Sequence, residues 1–393
     1  MSEPRRPGPV IILALGATTV ASLPVFLVGA LAGEIIVALE VRESVIGVLV
    51  ASFFTFSALS SFFAGRLVNR LGWLYSLLLT AALVLLAAVP LFILPPSIVL
   101  LVFSLLAGGF ANGISHPAAN LALIRSIDPG RLGIAFGLKQ AAIPSATLLS
   151  GMALPLLAVP FGWQSAYLAL GILSGLIVLN GMVLVRAVQR AEGSVRGRPE
   201  EAYDRTHLWY LVAGAGLAAG ACNSLGAFLV LHALDVGVGP TVAGVLLATG
   251  SVTNIAARLV LGWQADRRVS GHLHRVAMMM ILGAAGVLML AVADGIMLLA
   301  IGTVIAFGIG WGYNGLLHHG SMRLYGHAAA SVTGVLQATQ YVGAVVGPLV
   351  VGVVIERVSF FAAWLLVALG LVLGGVLLLR FRVLFTRRHL AAH

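Results

Sequence analysis

The sequence predicts an all-α integral membrane protein in which twelve transmembrane helices form two pseudo-symmetric six-helix bundles. Three observations carry this. Hydrophobic residues make up 60% of the 393-residue chain and charged residues only 9%, with a mean hydropathy of +1.07, far from the usage of a chain whose main solvent is water. Apolar runs of about 20 residues, enough to cross roughly 30 Å of hydrocarbon, recur twelve times with short connections. Finally, Gly65, Arg70, Gln140 and Trp163 correspond at a constant offset of 197 to Gly262, Arg267, Gln337 and Phe360, a period close to half the chain.

Runs bounded by Pro, Gly or charge place spans 1 to 6 at 10–33, 45–68, 73–94, 97–125, 132–158 and 163–188. Spans 7 to 12 follow at 207–232, 240–264, 274–293, 296–322, 329–354 and 359–381. The expected organisation is an N-terminal bundle over 1–188, a hydrophilic linker over 189–206 and a C-terminal bundle over 207–393, which leaves no room for a large soluble domain. The linker holds Arg190, Arg196, Arg198, Glu200, Glu201, Asp204 and Arg205, and short surface-helical character is expected there. Arg5 and Arg6 precede the first run as in a signal peptide, but that run continues for more than 20 residues without a clear cleavage site, so a retained first helix is expected. The 47 glycines let helices approach closely in lipid, as at Gly108, Gly109 and Gly113 or Gly343, Gly347 and Gly352. Pro117, Pro144, Pro155 and Pro348 can bend spans beside a cavity. Ordinary membrane packing accounts for most such residues.

The net charge of +10 is distributed for a bilayer and not for nucleic acid. Of 23 Lys and Arg, 19 lie at helix ends sharing one side with the N-terminus, Lys139 and Arg258 lie inside spans, and Arg42 and Arg357 fall opposite. This is the positive-inside asymmetry, with both termini and the linker cytoplasmic. A multi-pass protein of the cell membrane, in a bacterium the inner membrane, is expected, as a monomer. The single cysteine, Cys222, excludes an intramolecular disulfide and a multi-cysteine metal cluster; no metal site and no cofactor are expected. The duplication itself suggests transport, because a site between two similar halves can be opened to either side by rocking one half on the other.

The stretch Gly65-Arg66-Leu67-Val68-Asn69-Arg70-Leu71-Gly72 follows span 2, and Gly262-Trp263-Gln264-Ala265-Asp266-Arg267-Arg268 follows span 8. Both resemble the G-x-x-x-D-R-x-G signature of the major facilitator superfamily, at the two places where that family carries it. The resemblance implies a secondary transporter and gives these residues the role of a cytoplasmic gate that stabilises the outward-open state. Asn69 stands where the family has Asp, and Trp73 and Leu74 replace a basic pair, which weakens the first latch; Asp266 and Arg267 keep the second. Residues 109–120 with 137–141 are similar to the cyanate-transporter-like branch. Asn254 to Gly262 is similar to span 8 of monocarboxylate and oxalate carriers, whose arginine one turn before the glycine binds the substrate carboxylate; Arg258 occupies that place. The glycine-proline motif of many drug exporters is absent from 141–151.

An ionisable residue inside a span costs at least about 2.5 to 3.5 kcal/mol at the helix centre on insertion scales. Lys139, the only lysine, and Arg258 are the two such cations, and no acidic residue is expected near the middle of a span. A bound anion would neutralise them, an arginine offering a fork to a carboxylate or similar oxyanion; snorkelling to the cytoplasmic surface is the alternative. Asn112, His116, Gln140, Tyr313, Asn314, Gln337 and Gln340 complete the expected substrate-binding set, with Asn120, Asn223, Trp311 and Tyr341 as further polar candidates. Asn112, His116 and Asn120 step by four and share a helical face. His116 is the internal group able to carry a co-transported proton near neutral pH, though a packed histidine beside Pro117 is the simpler reading.

An ATP-driven pump is excluded, because the phosphate loop G-x-x-x-x-G-K-S/T needs a lysine after glycine and the only lysine follows Leu138. Carboxylate pairs and H-E-x-x-H are absent, so intramembrane protease chemistry has no parts and no enzyme is expected. What remains is a secondary transporter of a small organic or inorganic anion. An exporter of small lipophilic drugs or neutral metabolites, and a sensor or scaffold built on a transporter fold, stay open beside it.

Overall fold

The computed structural model describes residues 7–127, 135, 138–188, 206–267, 272–325 and 329–391. Nearly all of the expected linker over 189–206, the expected start of span 5 at 132, and the side chains of Asp266 and Arg267 therefore lie outside the described residues. Every regular element described is helical, as lipid requires of a chain whose backbone N–H and C=O groups must be satisfied within one segment.

Eleven helices among the described residues are long and apolar enough to cross a membrane. One of them, Glu43–Ile93, has 51 residues and carries non-helical backbone at Gly72, with φ 80° and ψ 160°. That conformation is left to glycine because a Cβ would clash there, so the last glycine of the signature stretch is the turn between spans 2 and 3, and the crossings number twelve. The other spans agree with the hydropathy reading to within a few residues at most ends, for example Gln164–Val188 and Leu208–Asp235. Two differences have clear causes. A short separate helix, Ala32–Leu39, follows span 1 and stops at Glu40, whose φ of 52° closes it in a left-handed turn. Span 12 continues to Ala391, past its apolar stretch, because helix propensity carries it on through Arg380 and Arg382 once the bilayer-length run is complete.

Two spans are irregular along their length. Span 5 breaks at Ala141, resumes as Ala142–Ala153, and widens into a π-helical turn at Leu154–Ala158 that accommodates Pro155. Span 10 widens at Ala306–Gly310 and loses helical order at 311–313, and the helix restarts as Asn314–Tyr325. Both interruptions place free backbone carbonyls inside protein, away from lipid.

The first six spans meet the last six along three seams: span 1 on span 7, span 2 on span 11 and span 5 on span 8. The pairs 2/11 and 5/8 exchange under the internal repeat, which sends each span to the one six places later. On the side away from the termini, each seam is closed by backbone against backbone. A Cβ built on Gly29 would lie 2.8 Å from the Gly226 carbonyl, one on Gly151 would lie 2.7 Å from the Gly244 carbonyl, and one on Gly47 would strike the Pro348 carbonyl.

Candidate functional site

A cavity lies between the two sets of spans. Span 4 supplies Asn112 and His116, span 10 Tyr313 and Asn314, and span 11 Gln337 and Gln340. Phe26, Phe53, Phe54, Trp311 and Tyr341 give it an aromatic wall. The non-helical step after Gly310 is what turns Trp311 and Tyr313 inward; the Trp311 ring is held 6.0 Å from Phe26 and 5.4 Å from Phe307.

The polar lining is tied into short networks that fix its orientation. Ser22 donates to Asn112 Oδ1 at 3.2 Å, and Asn112 Nδ2 donates to Ser57 Oγ at 3.2 Å, joining spans 1, 4 and 2. Gln340 Nε2 donates to Asn314 Oδ1 at 2.8 Å, and Gln340 Oε1 pairs with His318 Nε2 at 3.1 Å, which makes that ring nitrogen the donor.

The two intramembrane cations stand directly behind this lining. Lys139 is buried, and its Nζ lies 3.0 Å from His116 Nδ1. An ammonium has only donors, so His116 Nδ1 accepts and the neutral ring carries its hydrogen on Nε2. Arg258, also buried, donates from Nε to Asn254 Oδ1 at 2.7 Å, from Nη1 to the Gln140 carbonyl at 2.7 Å and from Nη2 to the Trp311 carbonyl at 3.5 Å. The Gln140 carbonyl is free because the residue four positions on is Pro144, which has no N–H to give it. The Trp311 carbonyl is free because span 10 is interrupted there.

Of the nine substrate-binding candidates, the structure thus brings Asn112, His116, Tyr313, Asn314, Gln337 and Gln340 to one cavity. Lys139, Gln140 and Arg258 are not part of its wall. Lys139 and Arg258 each sit one hydrogen bond behind it, and Gln140 contributes its backbone oxygen to Arg258. Neither cation has a carboxylate within ion-pair distance among the described residues; the acidic groups stay at helix ends, as Glu356 does with Arg42 at 3.3 Å. Among the described residues no three His, Cys, Asp or Glu side chains are gathered as metal ligands.

A family model of the Major Facilitator Superfamily matches residues 13–341. The chain belongs to the major facilitator superfamily. It is 27% identical over 268 residues to monocarboxylate transporter 11 of Homo sapiens, covering 62% of this chain and 54% of that protein. The Mus musculus protein of the same name is 27% identical over 270 residues, covering 62% and 57%. The chain thus spans a little over half the length of these curated relatives. The crystal structure of a bacterial homolog to the human lysosomal transporter Spinster, in an inward-facing and unoccupied conformation, superposes with a TM-score of 0.68 over 98% of this chain and 96% of that one. At 16% identity that likeness is one of fold.

The chain is therefore a multi-pass membrane protein, and its superfamily is one of transporters rather than enzymes. Its signature residues lie on the side of the termini. Asn69 and Arg70 are exposed, and Gly65 and Gly262 stand clear, with nothing within 4 Å of a built Cβ. His318 escaped the sequence reading, although it sits one helical turn after Asn314 on the same face. Phe26, Phe53 and Phe54 escaped it as well, since hydropathy cannot tell a cavity-facing phenylalanine from a lipid-facing one.

Proposed function

We propose that the protein is a secondary transporter of a small organic anion that works by rocker-switch alternating access, with both termini cytoplasmic. The observation that carries this is the pair of buried cations, Lys139 and Arg258, set behind a polar cavity with only neutral partners. An anion entering the cavity would supply the missing counter-charge. Its positive field reaches the cavity through His116 on one side and the Trp311 backbone on the other, in surroundings where charges are weakly screened. The aromatic wall favours an anion with an apolar body, and the monocarboxylate transporters among its relatives point the same way. Backbone contact between the halves on the face away from the termini, with Gly65 and Gly262 clear of neighbours on the side of the termini, supports alternating access. A co-transported proton has one carrier at the cavity wall, His116, and uptake driven by an imposed pH gradient alone checks that route.

Uptake into proteoliposomes tests the reading. Lys139→Gln and Arg258→Gln should each reduce uptake of a radiolabelled monocarboxylate to background while the purified variants keep their helical content and monodispersity. Normal transport by both variants would sink the anion site. A thermal-stability screen across monocarboxylates, cyanate, nitrate and neutral drugs finds the substrate, since a ligand at 100 times its Kd adds about 2.7 kcal/mol to the native state. Stabilisation by neutral drugs alone would favour the lipophilic exporter instead.

A further inference from the structure

The Gln140 carbonyl and the guanidinium of Arg258 meet across the seam between span 5 and span 8, and their meeting is a consequence of Pro144. In an uninterrupted helix the N–H four residues on would occupy that carbonyl. Proline has none, so the oxygen points out of span 5 and receives Arg258 Nη1 at 2.7 Å. The contact is also the innermost of a series in one antiparallel register. Passing from the far side towards the termini, Gly151 lies on Ala248, with a built Cβ 2.7 Å from its amide nitrogen. Ser251 then donates to Thr147 at 2.7 Å, and Arg258 donates to Gln140. The first two contacts leave no room for a ligand. The third uses the charge that the anion reading assigns to substrate.

We propose that Pro144 is a positioning residue for Arg258: it exposes the Gln140 carbonyl as the internal occupant of the guanidinium, so that in the empty protein Arg258 latches span 5 to span 8, and a carboxylate entering the cavity displaces the carbonyl and releases the seam. The second half of this statement rests on the anion reading above; the latch itself does not. A neutral carbonyl suits the role. It satisfies the cation well enough to keep it inside the membrane, and a carboxylate, which adds a full opposite charge and can take two parallel bonds from the guanidinium fork, outcompetes it. Asn254, one turn earlier, holds Nε at 2.7 Å and keeps the fork aimed at the seam.

The test separates latch from ligand. Nitroxide labels at Val37→Cys and Val358→Cys, two exposed positions on the closed face, report its opening in the full chain with Cys222→Ala. Without any ligand, Pro144→Ala supplies the missing N–H, and Arg258→Met removes the donors while keeping an apolar side chain. Each should shift the population towards the longer distance by at least about tenfold, the order expected for one lost bond to a charged group. Pro144→Ala keeps the cation and favours the helix, so it reads the latch even if Arg258→Met folds poorly. An unchanged distribution in Pro144→Ala overturns the proposal, whether or not Arg258→Met shifts. Sodium pyruvate at increasing concentration should open the native protein and leave Arg258→Met unmoved. If the ligand-free variants shift and pyruvate, cyanate and nitrate all leave the native distribution unchanged, the latch stands and the anion reading falls.

Discussion

The two ends of the interface between the halves use the same residue type for opposite purposes. Away from the termini, Gly47 on span 2 is pressed against Pro348 and Gly352 of span 11, and no side chain fits between the backbones. Gly65 lies eighteen residues past Gly47, and Gly334 eighteen before Gly352, so the two are level with one another about 27 Å closer to the termini. Nothing lies within 4 Å of a Cβ built on either. One seam is thus closed at one end and splayed at the other. Under the proposed alternating access this seam is the hinge, and Gly65 and Gly334 leave its open end room to close.

Leucine in place of the glycine at each end of this seam should change the protein most. Gly47→Leu drives a side chain into the Pro348 carbonyl and should cost about 1 to 3 kcal/mol, the usual range for overpacking, seen as a lowered Tm and a longer Val37 to Val358 distance. Gly65→Leu enters open space in this state and should leave Tm nearly unchanged, within about 0.5 kcal/mol. Yet it should stop uptake, because the bulky side chain blocks closure of the splayed end. Equal loss of Tm in the two variants would remove the distinction between the ends.

How far the sequence foresaw these features depends on whether a residue's chemistry or its direction matters. The twelve crossings were legible because each must be apolar over a bilayer thickness, and even the joint between spans 2 and 3 was marked by Gly72. The polar members of the cavity were legible as well: Asn112 and His116, or Asn314 and Gln340, are conspicuous in an apolar run. Phe26, Phe53 and Phe54 were not, since in a membrane protein apolar residues face both lipid and interior. Gln140 shows a third case. Its amide side chain drew attention, while its contribution to the site is a carbonyl released by a proline four residues away, which no side-chain inventory records. Lys139 and Arg258 stood out by charge, but only the structure shows that neutral partners hold them one bond behind the cavity wall.

A smaller effect is expected midway along the other symmetric seam. Ser251→Ala removes the 2.7 Å hydrogen bond to Thr147 between spans 8 and 5. Bonds of this kind inside membrane bundles average about 0.6 kcal/mol, so Tm should fall by a degree or two at most. The label pair on the closed face should move less than in Gly47→Leu, since the glycine contacts above and the Arg258 contact below remain. A shift as large as that of Gly47→Leu would show that this hydrogen bond, and not backbone contact, sets closure.

The smallest effect belongs to the most conspicuous cross-link. Arg42 and Glu356 join spans 2 and 11 on the closed face at 3.3 Å, but the Arg42 side chain is 80% exposed. Water and salt screen such a pair, and ordering two long side chains offsets much of its attraction. Arg42→Ala should therefore leave the distance distribution and Tm within error at physiological ionic strength, with any difference visible only in dilute salt. Closure of this face would then be a property of its glycines. A variant that opened the face at about 0.15 M salt, where the screening length is near 8 Å, would instead make the ion pair the lock and the tight backbone contact its consequence.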